Sequence, residues 1–208
     1  MKISDIQRYD SSKMYEAYEK WPEIAKENYF SNDLQKIQFK NIDHIVFAGV
    51  GGSGSIGDVI SSILSKNDIH VNIVKGYLLP KTVDHNTLVV TTSVSGNSKE
   101  ALTILQNVKK SRSKFVAFSS GGKMKKYSIK NKIPYYEIPE INSPRASFPC
   151  YLYSILNVLD DVIPVKKRDV RESISLLMKT RKEISSTNLT NSNRALSLAK
   201  WISDFPII

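Results

Sequence analysis

The feature that most constrains this chain is an alternation of short apolar runs with segments of helical spacing. The runs are "HIVFAGV" (44–50), "HVNIV" (70–74), "TLVVTTSV" (87–94), "KFVAFSS" (114–120) and "PYYEIP" (134–139). The helical segments are "SIGDVISSILSK", "SKEALTILQNVKKS", "GKMKKYSIKNK" and "FPCYLYSILNVLDDV". Strands that alternate with helices form βαβ units, and such units imply a parallel sheet covered on both faces. Right-handed crossovers then restrict the topology to a doubly wound sheet. The expected fold is α/β, with a five-stranded parallel doubly wound sheet flanked by helices.

The flanks have a different texture. Residues 1–40 read as polar helices, with Met14, Tyr18, Trp21 and Ile24 spaced along one face. Pro22 fits the start of a second helix better than the inside of one. The sheet domain is expected over 41–165, a long charged helix and linker over 166–192, and a further helix from 193. The ending "FPII" (205–208) reads as the first residues of a strand, so 193–208 is expected to begin a second, similar domain that breaks off.

Totals exclude several classes. No run of about 18 apolar residues occurs, so no membrane span is expected. The charged start lacks the apolar core of a secretory signal. Cys150 is the single cysteine, so no intrachain disulfide can form, and a reducing cytoplasm is the simplest setting. His44, His70 and His85 stand at no ligand spacing relative to Cys150, so no metal is expected. His44 and His85 lie near strand starts and read as ordinary surface histidines, and Cys150 reads as a core residue. The formal net charge is +10. Its densest runs, Lys109–Lys114, Lys123–Lys126 and Lys166–Arg171, are scattered and not interleaved with aromatics, which argues against nucleic acid. A positive field would still attract anionic small molecules.

Three loops follow strands and would open on one edge of the sheet, where doubly wound folds bind ligands. "GVGGSGS" is not a Walker loop, since no Lys-Ser or Lys-Thr follows. Gly49, Gly51 and Gly54 nominally match a dinucleotide fingerprint, but the acidic ribose partner is not evident. The loop is either a tight packing turn or a place where a ligand reaches backbone N–H groups beside Gly52 and Ser53. "TTSVSGNS" (91–98) holds five hydroxyls in eight residues. Asn97 with Glu100 three residues later reads as a capping box for the following helix. That leaves Ser93, Ser95 and Ser98, which suit a phosphate held by neutral donors at a helix N-terminus. The third loop is "SSGGK". After the fifth run, "NSPRAS" presents Arg145 either to a surface acid or to developing negative charge at the same edge.

Together, "GVGGSGSIGD", "SVSGNSKEAL", "SSGGK" and "PRAS" resemble a sugar isomerase (SIS) domain, and more narrowly the archaeal-type bifunctional phosphoglucose/phosphomannose isomerase family. The resemblance covers most of residues 40–208. It implies interconversion of glucose 6-phosphate and mannose 6-phosphate with fructose 6-phosphate through an enediol, with no cofactor and no metal. It implies that Ser93, Ser95 and Ser98 hold the phosphate, Gly52 and Ser53 touch the sugar, and Arg145 stabilises the enediolate. The family's base and ring-opening residues belong to a second SIS domain and fall outside these 208 residues. Its site forms in a homodimer. Alternative readings are 6-phospho-3-hexuloisomerase, also a SIS protein, and a non-catalytic SIS module that senses a sugar phosphate.

Overall fold

Strands β1 (His44–Ala48), β2 (His70–Val74), β3 (Thr87–Ser93), β4 (Lys114–Ser119) and β5 (Tyr135–Glu137) form one parallel sheet in the order β2-β1-β3-β4-β5. The computed structural model of the chain describes residues 2–107 and 111–203. Five helices accompany the sheet or connect its strands: α3 (Trp21–Phe30), α4 (Gly52–Leu64), α5 (Lys99–Asn107), α6 (Gly122–Lys130) and α7 (Phe148–Val158). The remaining described helices are α1 (Ile3–Tyr9), α2 (Met14–Glu19), α8 (Lys167–Ile184) and α9 (Arg194–Ser203). The five-stranded parallel arrangement is as expected from the alternation. This order is doubly wound: the chain leaves β1 for β2 on one side, then returns to place β3 on the other.

The pattern of burial explains why the runs are apolar. β1 and β3 lie inside the sheet and are buried at every residue. Covered on both faces, such strands need near-continuous Val, Ile and Leu. β2 has one neighbour and tolerates Asn72. α4 turns Ile56, Ile60 and Leu64 inward, and α5 turns Ala101, Ile104 and Leu105, each at helical spacing. α7 is buried from Pro149 through Val158, which accounts for its apolar composition on all sides. Cys150 is fully buried in it, as expected of a core residue. Its thiol lies 3.4 Å from Asn28 Oδ1, and burial pushes it up to about 11.

His44 departs from expectation. It is 6% exposed, with Nε2 2.8 Å from Asn72 Oδ1 and Nδ1 3.0 Å from Thr87 Oγ1. Its partners sit on the strands to either side, so a buried polar ring is satisfied by residues distant in sequence. His85 is exposed, as expected.

The chain divides into two units, one of residues 27–165 and one of residues 1–26 with 166–208. The dividing point falls inside α3. Residues 27–40, grouped by sequence with the N-terminal helices, belong to the sheet unit. Asn157 Nδ2 donates to Asn28 O (3.2 Å) and Ser31 O (3.0 Å), and Ile37 N donates to Val158 O (3.1 Å). Tyr136 Oη donates to Gln35 O at 2.6 Å. The break between α2 and α3 at Lys20 agrees with Pro22 opening a helix. In the other unit, Arg181 donates to both carboxylate oxygens of Glu23 (2.7 and 2.6 Å) and to Glu19 O (3.0 Å). Beside this ion pair, α1–α3, α8 and α9 line a largely apolar, open-sided pocket of about 550 Å³ that includes Tyr15, Tyr18, Trp21, Leu177 and Leu196. The strand expected at 205–208, and Lys109 and Lys110 of one basic run, lie outside the described residues.

Candidate functional site

The carboxyl ends of β1 and β3 flank the point where the winding reverses. α5 follows β3, and its first internal bond runs from Leu102 N to Ser98 O at 3.1 Å. The N–H groups of Lys99, Glu100 and Ala101 therefore have no acceptor within the helix. Ser93 ends β3 and is 4% exposed. Ser98 Oγ donates to Ser93 Oγ at 2.9 Å. A hydroxyl carries one proton, so Ser93, having accepted, keeps its own to donate. Ser95 is exposed, and its Oγ accepts from Asn97 N at 3.3 Å. Its proton, too, remains to be donated.

The capping box expected from Asn97 and Glu100 does not form. Glu100 Oε1 accepts from Tyr77 Oη (3.2 Å), which brings the segment after β2 over the start of α5. The bond to Glu100 holds the Tyr77 proton and raises its pKa. Asn97 Oδ1 accepts from Lys123 N (3.1 Å) in the first turn of α6, and Asn97 Nδ2 donates to Ser95 O (2.9 Å). The physical reason is that α5 starts at Lys99, so Asn97 sits one residue too early to cap it. Asn97 instead caps the neighbouring helix.

That neighbour is the "SSGGK" loop, which closes against the serine loop. Ser120 N and Ser120 Oγ both donate to Val94 O (2.9 and 2.7 Å), and Met124 N donates to Gly96 O (2.9 Å). The approach needs glycine: a Cβ on Gly96 (φ +64°) would lie 2.1 Å from Gly121 O. This loop supports the serines.

On the other side of the switch point, α4 starts three residues earlier than its apolar pattern suggests, at Gly52 after Gly51 (φ +58°). Its first bonded amide is Ser55 N, 3.1 Å from Gly51 O, so Gly52, Ser53 and Gly54 present N–H groups without acceptors in the helix. Gly52 and Ser53, expected in a loop, therefore form a helix N-terminus. Gly49 lets this turn close, since a Cβ there would lie 3.0 Å from both Ser53 Cβ and Thr92 O. The loop after β5 reaches this turn: the space of a Gly52 Cβ is 3.9 Å from Pro144 O. Ser147 shapes that loop, accepting from Ile141 N and donating to Ser143 O, both at 2.8 Å. Arg145 is exposed on it; its carbonyl accepts from Phe148 N (3.2 Å), and its guanidinium makes no hydrogen bond or ion pair with the described residues.

This edge therefore offers two helix N-termini and hydroxyl protons, an arrangement suited to an anion. Of the carboxylates on these elements, Glu100 accepts from Tyr77, while Asp58 and Glu137 pair with Lys75 (2.8 Å) and Lys125 (2.6 Å); Glu140, in the loop after β5, is exposed. Among the described residues, no cluster of His, Cys, Asp or Glu side chains gathers to hold a metal, and no helix is long and apolar enough to cross a membrane.

No protein-family model matches the chain. It is 30% identical over 203 residues to the "Bifunctional phosphoglucose/phosphomannose isomerase" of Caldicellulosiruptor bescii, covering 94% of this chain and 59% of the relative. It is 31% identical over 148 residues to the "D-glucosamine-6-phosphate 4-epimerase" of Sulfolobus acidocaldarius, covering 69% and 46%. The chain thus spans about half to three fifths of the length of these relatives. The C-terminal domain of glucosamine-fructose-6-phosphate aminotransferase from Francisella tularensis shares the fold, with TM-score 0.54 and 14% identity over 80% of this chain and 53% of that one. The strand order, the serine loop and these likenesses agree: the chain belongs to the SIS family of phosphosugar isomerases, alongside the bifunctional phosphoglucose/phosphomannose isomerases.

Proposed function

We propose that this chain supplies the phosphate-binding edge of an isomerase that interconverts glucose 6-phosphate, and also mannose 6-phosphate, with fructose 6-phosphate. The observation that carries the reading is the gathering of Ser93, Ser95 and Ser98 at the unbonded N-terminus of α5, with hydroxyl protons of Ser93 and Ser95 left to donate. In this reading those hydroxyls and the α5 amides hold the phosphate, and Gly52 and Ser53 at the start of α4 touch the sugar. A carboxylate base moves one proton between C2 and C1 after ring opening, and Arg145 faces the negative charge of the enediolate. In this reading the base comes from outside these 208 residues, as the family resemblance implies. The working protein is a cytoplasmic homodimer acting on central sugar phosphates, in glycolysis and gluconeogenesis.

The likeness to a 4-epimerase supports a second reading, in which the same edge holds glucosamine 6-phosphate. Phosphate binding is common to both. Proton NMR of the purified chain with fructose 6-phosphate, and separately with glucosamine 6-phosphate, tests them. The expected result is saturable broadening of fructose 6-phosphate signals without turnover, and formation of glucose 6-phosphate and mannose 6-phosphate by the longer protein. A C4-epimerised product would favour the second reading. Absence of binding to either sugar would overturn both.

A further inference from the structure

We propose that Asn97 is a positioning residue for the phosphate site, holding Ser95 in its donating orientation by tying the serine loop to the start of α6. The proposal rests on the sugar-phosphate reading above. Asn97 uses both ends of its amide. Nδ2 donates to Ser95 O at 2.9 Å, which fixes the peptide that carries the serine loop into α5. Oδ1 accepts from Lys123 N at 3.1 Å, which anchors the same side chain to a different βα loop. The backbone N–H of Asn97 donates to Ser95 Oγ at 3.3 Å, so it occupies an acceptor position on that oxygen and leaves the Ser95 proton for an anion.

Helix capping alone is a weaker account. The α6 turn already binds the serine loop through Met124 N and Gly96 O, and Lys125 N is bonded to Gly121 O at 3.2 Å. Capping also gives no use for the Nδ2 bond to Ser95. The cradle is tight: a Cβ on Gly122 would lie 2.6 Å from Ser95 O and 2.9 Å from Asn97 Oδ1. The three groups have little room to rearrange, so the side chain at position 97 sets where Ser95 points.

The test is a double-mutant cycle on the 208-residue chain, with fructose 6-phosphate titrated calorimetrically into wild type, Asn97→Ala, Ser95→Ala and the double variant. If Asn97 acts through Ser95, Asn97→Ala weakens binding about tenfold, as for one hydrogen bond to a charged group, and adds less than about twofold once Ser95 is alanine. Losses that multiply in the double variant, or wild-type affinity in Asn97→Ala, overturn this role while leaving the phosphate site standing. Failure of the wild type to bind removes the site and this role together. Should Asn97→Ala not fold, Asn97→Asp gives the same cycle. It keeps an acceptor for Lys123 N and loses the donor to Ser95 O; because its added charge acts in both backgrounds, the reading is then the coupling, with the Asn97→Asp loss expected to be about fivefold smaller once Ser95 is alanine and equal losses overturning the role.

Discussion

Gly96→Ala reads the contact between the serine loop and the α6 loop directly. Gly96 has φ +64°, and the left-handed region costs an L-residue about 1–2 kcal/mol. The added Cβ would meet Gly121 O at 2.1 Å, Gly121 C at 2.8 Å and Ser119 Oγ at 3.0 Å. Two of those atoms are backbone, and Gly121 is already the smallest residue, so a rotamer change relieves nothing. Overpacking of this kind adds about 1–3 kcal/mol. The sum is about 2–5 kcal/mol, a large part of a typical total stability of roughly 5–15 kcal/mol. For a chain of this size each kcal/mol moves the melting temperature by about 2–4 °C, so Gly96→Ala should lower it by roughly 10 °C. Gly76→Ala is the control, because no atom lies within 4 Å of its Cβ and its φ is not positive. It should melt within about 2 °C of wild type, as surface changes do. The assay is thermal and urea unfolding of the three proteins followed by circular dichroism. Equal melting of Gly96→Ala and Gly76→Ala would refute the loop contact, and with it the anchoring of Asn97.

Three further outcomes are expected. Ser95→Ala should weaken fructose 6-phosphate binding by about 1–3 kcal/mol, read by calorimetry, and unchanged affinity would leave the serine loop without a ligand role. If Arg145 acts as proposed, Arg145→Ala in an active isomerase that contains this chain should lower kcat far more than it raises KM for fructose 6-phosphate, and a pure KM effect would reduce it to a binding contact. Cys150 should resist thiol reagents at pH 8 in the folded chain and react on unfolding in urea, being fully buried. Its thiol is held up to about 11 against an ordinary 9.0, so the folded state keeps the proton better than the unfolded state. Its contribution is therefore complete below about pH 9 and is lost as the pH rises towards about 11, and urea midpoints measured across that window check the sign.

The sheet was legible because its signal is carried by each strand alone. A strand buried on both faces favours an apolar run, and β1 shows one at Ile45–Ala48 and β3 at Leu88–Val90. The break before Pro22 was legible for the same local reason, a ring that cannot sit inside a helix. What depends on a partner strand was not. His44 carries the composition of a surface residue, and only the register that sets it beside Asn72 and Thr87 makes it a satisfied core residue. The grouping of residues 27–40 was hidden likewise, because that segment has no apolar period of its own and is held by backbone bonds to α7 and to Tyr136.

The site divides along the same line. A crowd of hydroxyls between a strand and a helix is visible in one dimension, and Ser93, Ser95 and Ser98 do gather at the α5 start. Which of them donates is not visible, because the direction depends on pairing: Ser98 gives its proton to Ser93, while Ser95 accepts from Asn97 N. The spacing of Asn97 and Glu100 matched a capping box and misled for an identifiable reason. A capping box is scored within one helix, whereas the glycines at 96, 121 and 122 let a second loop approach closely enough to compete for the Asn97 oxygen. Glycine in that place signals a close approach without naming what approaches. The sequence pattern thus marks where an anion would sit, and the hand-off of one amide oxygen between neighbouring helices decides how the donors are aimed at it.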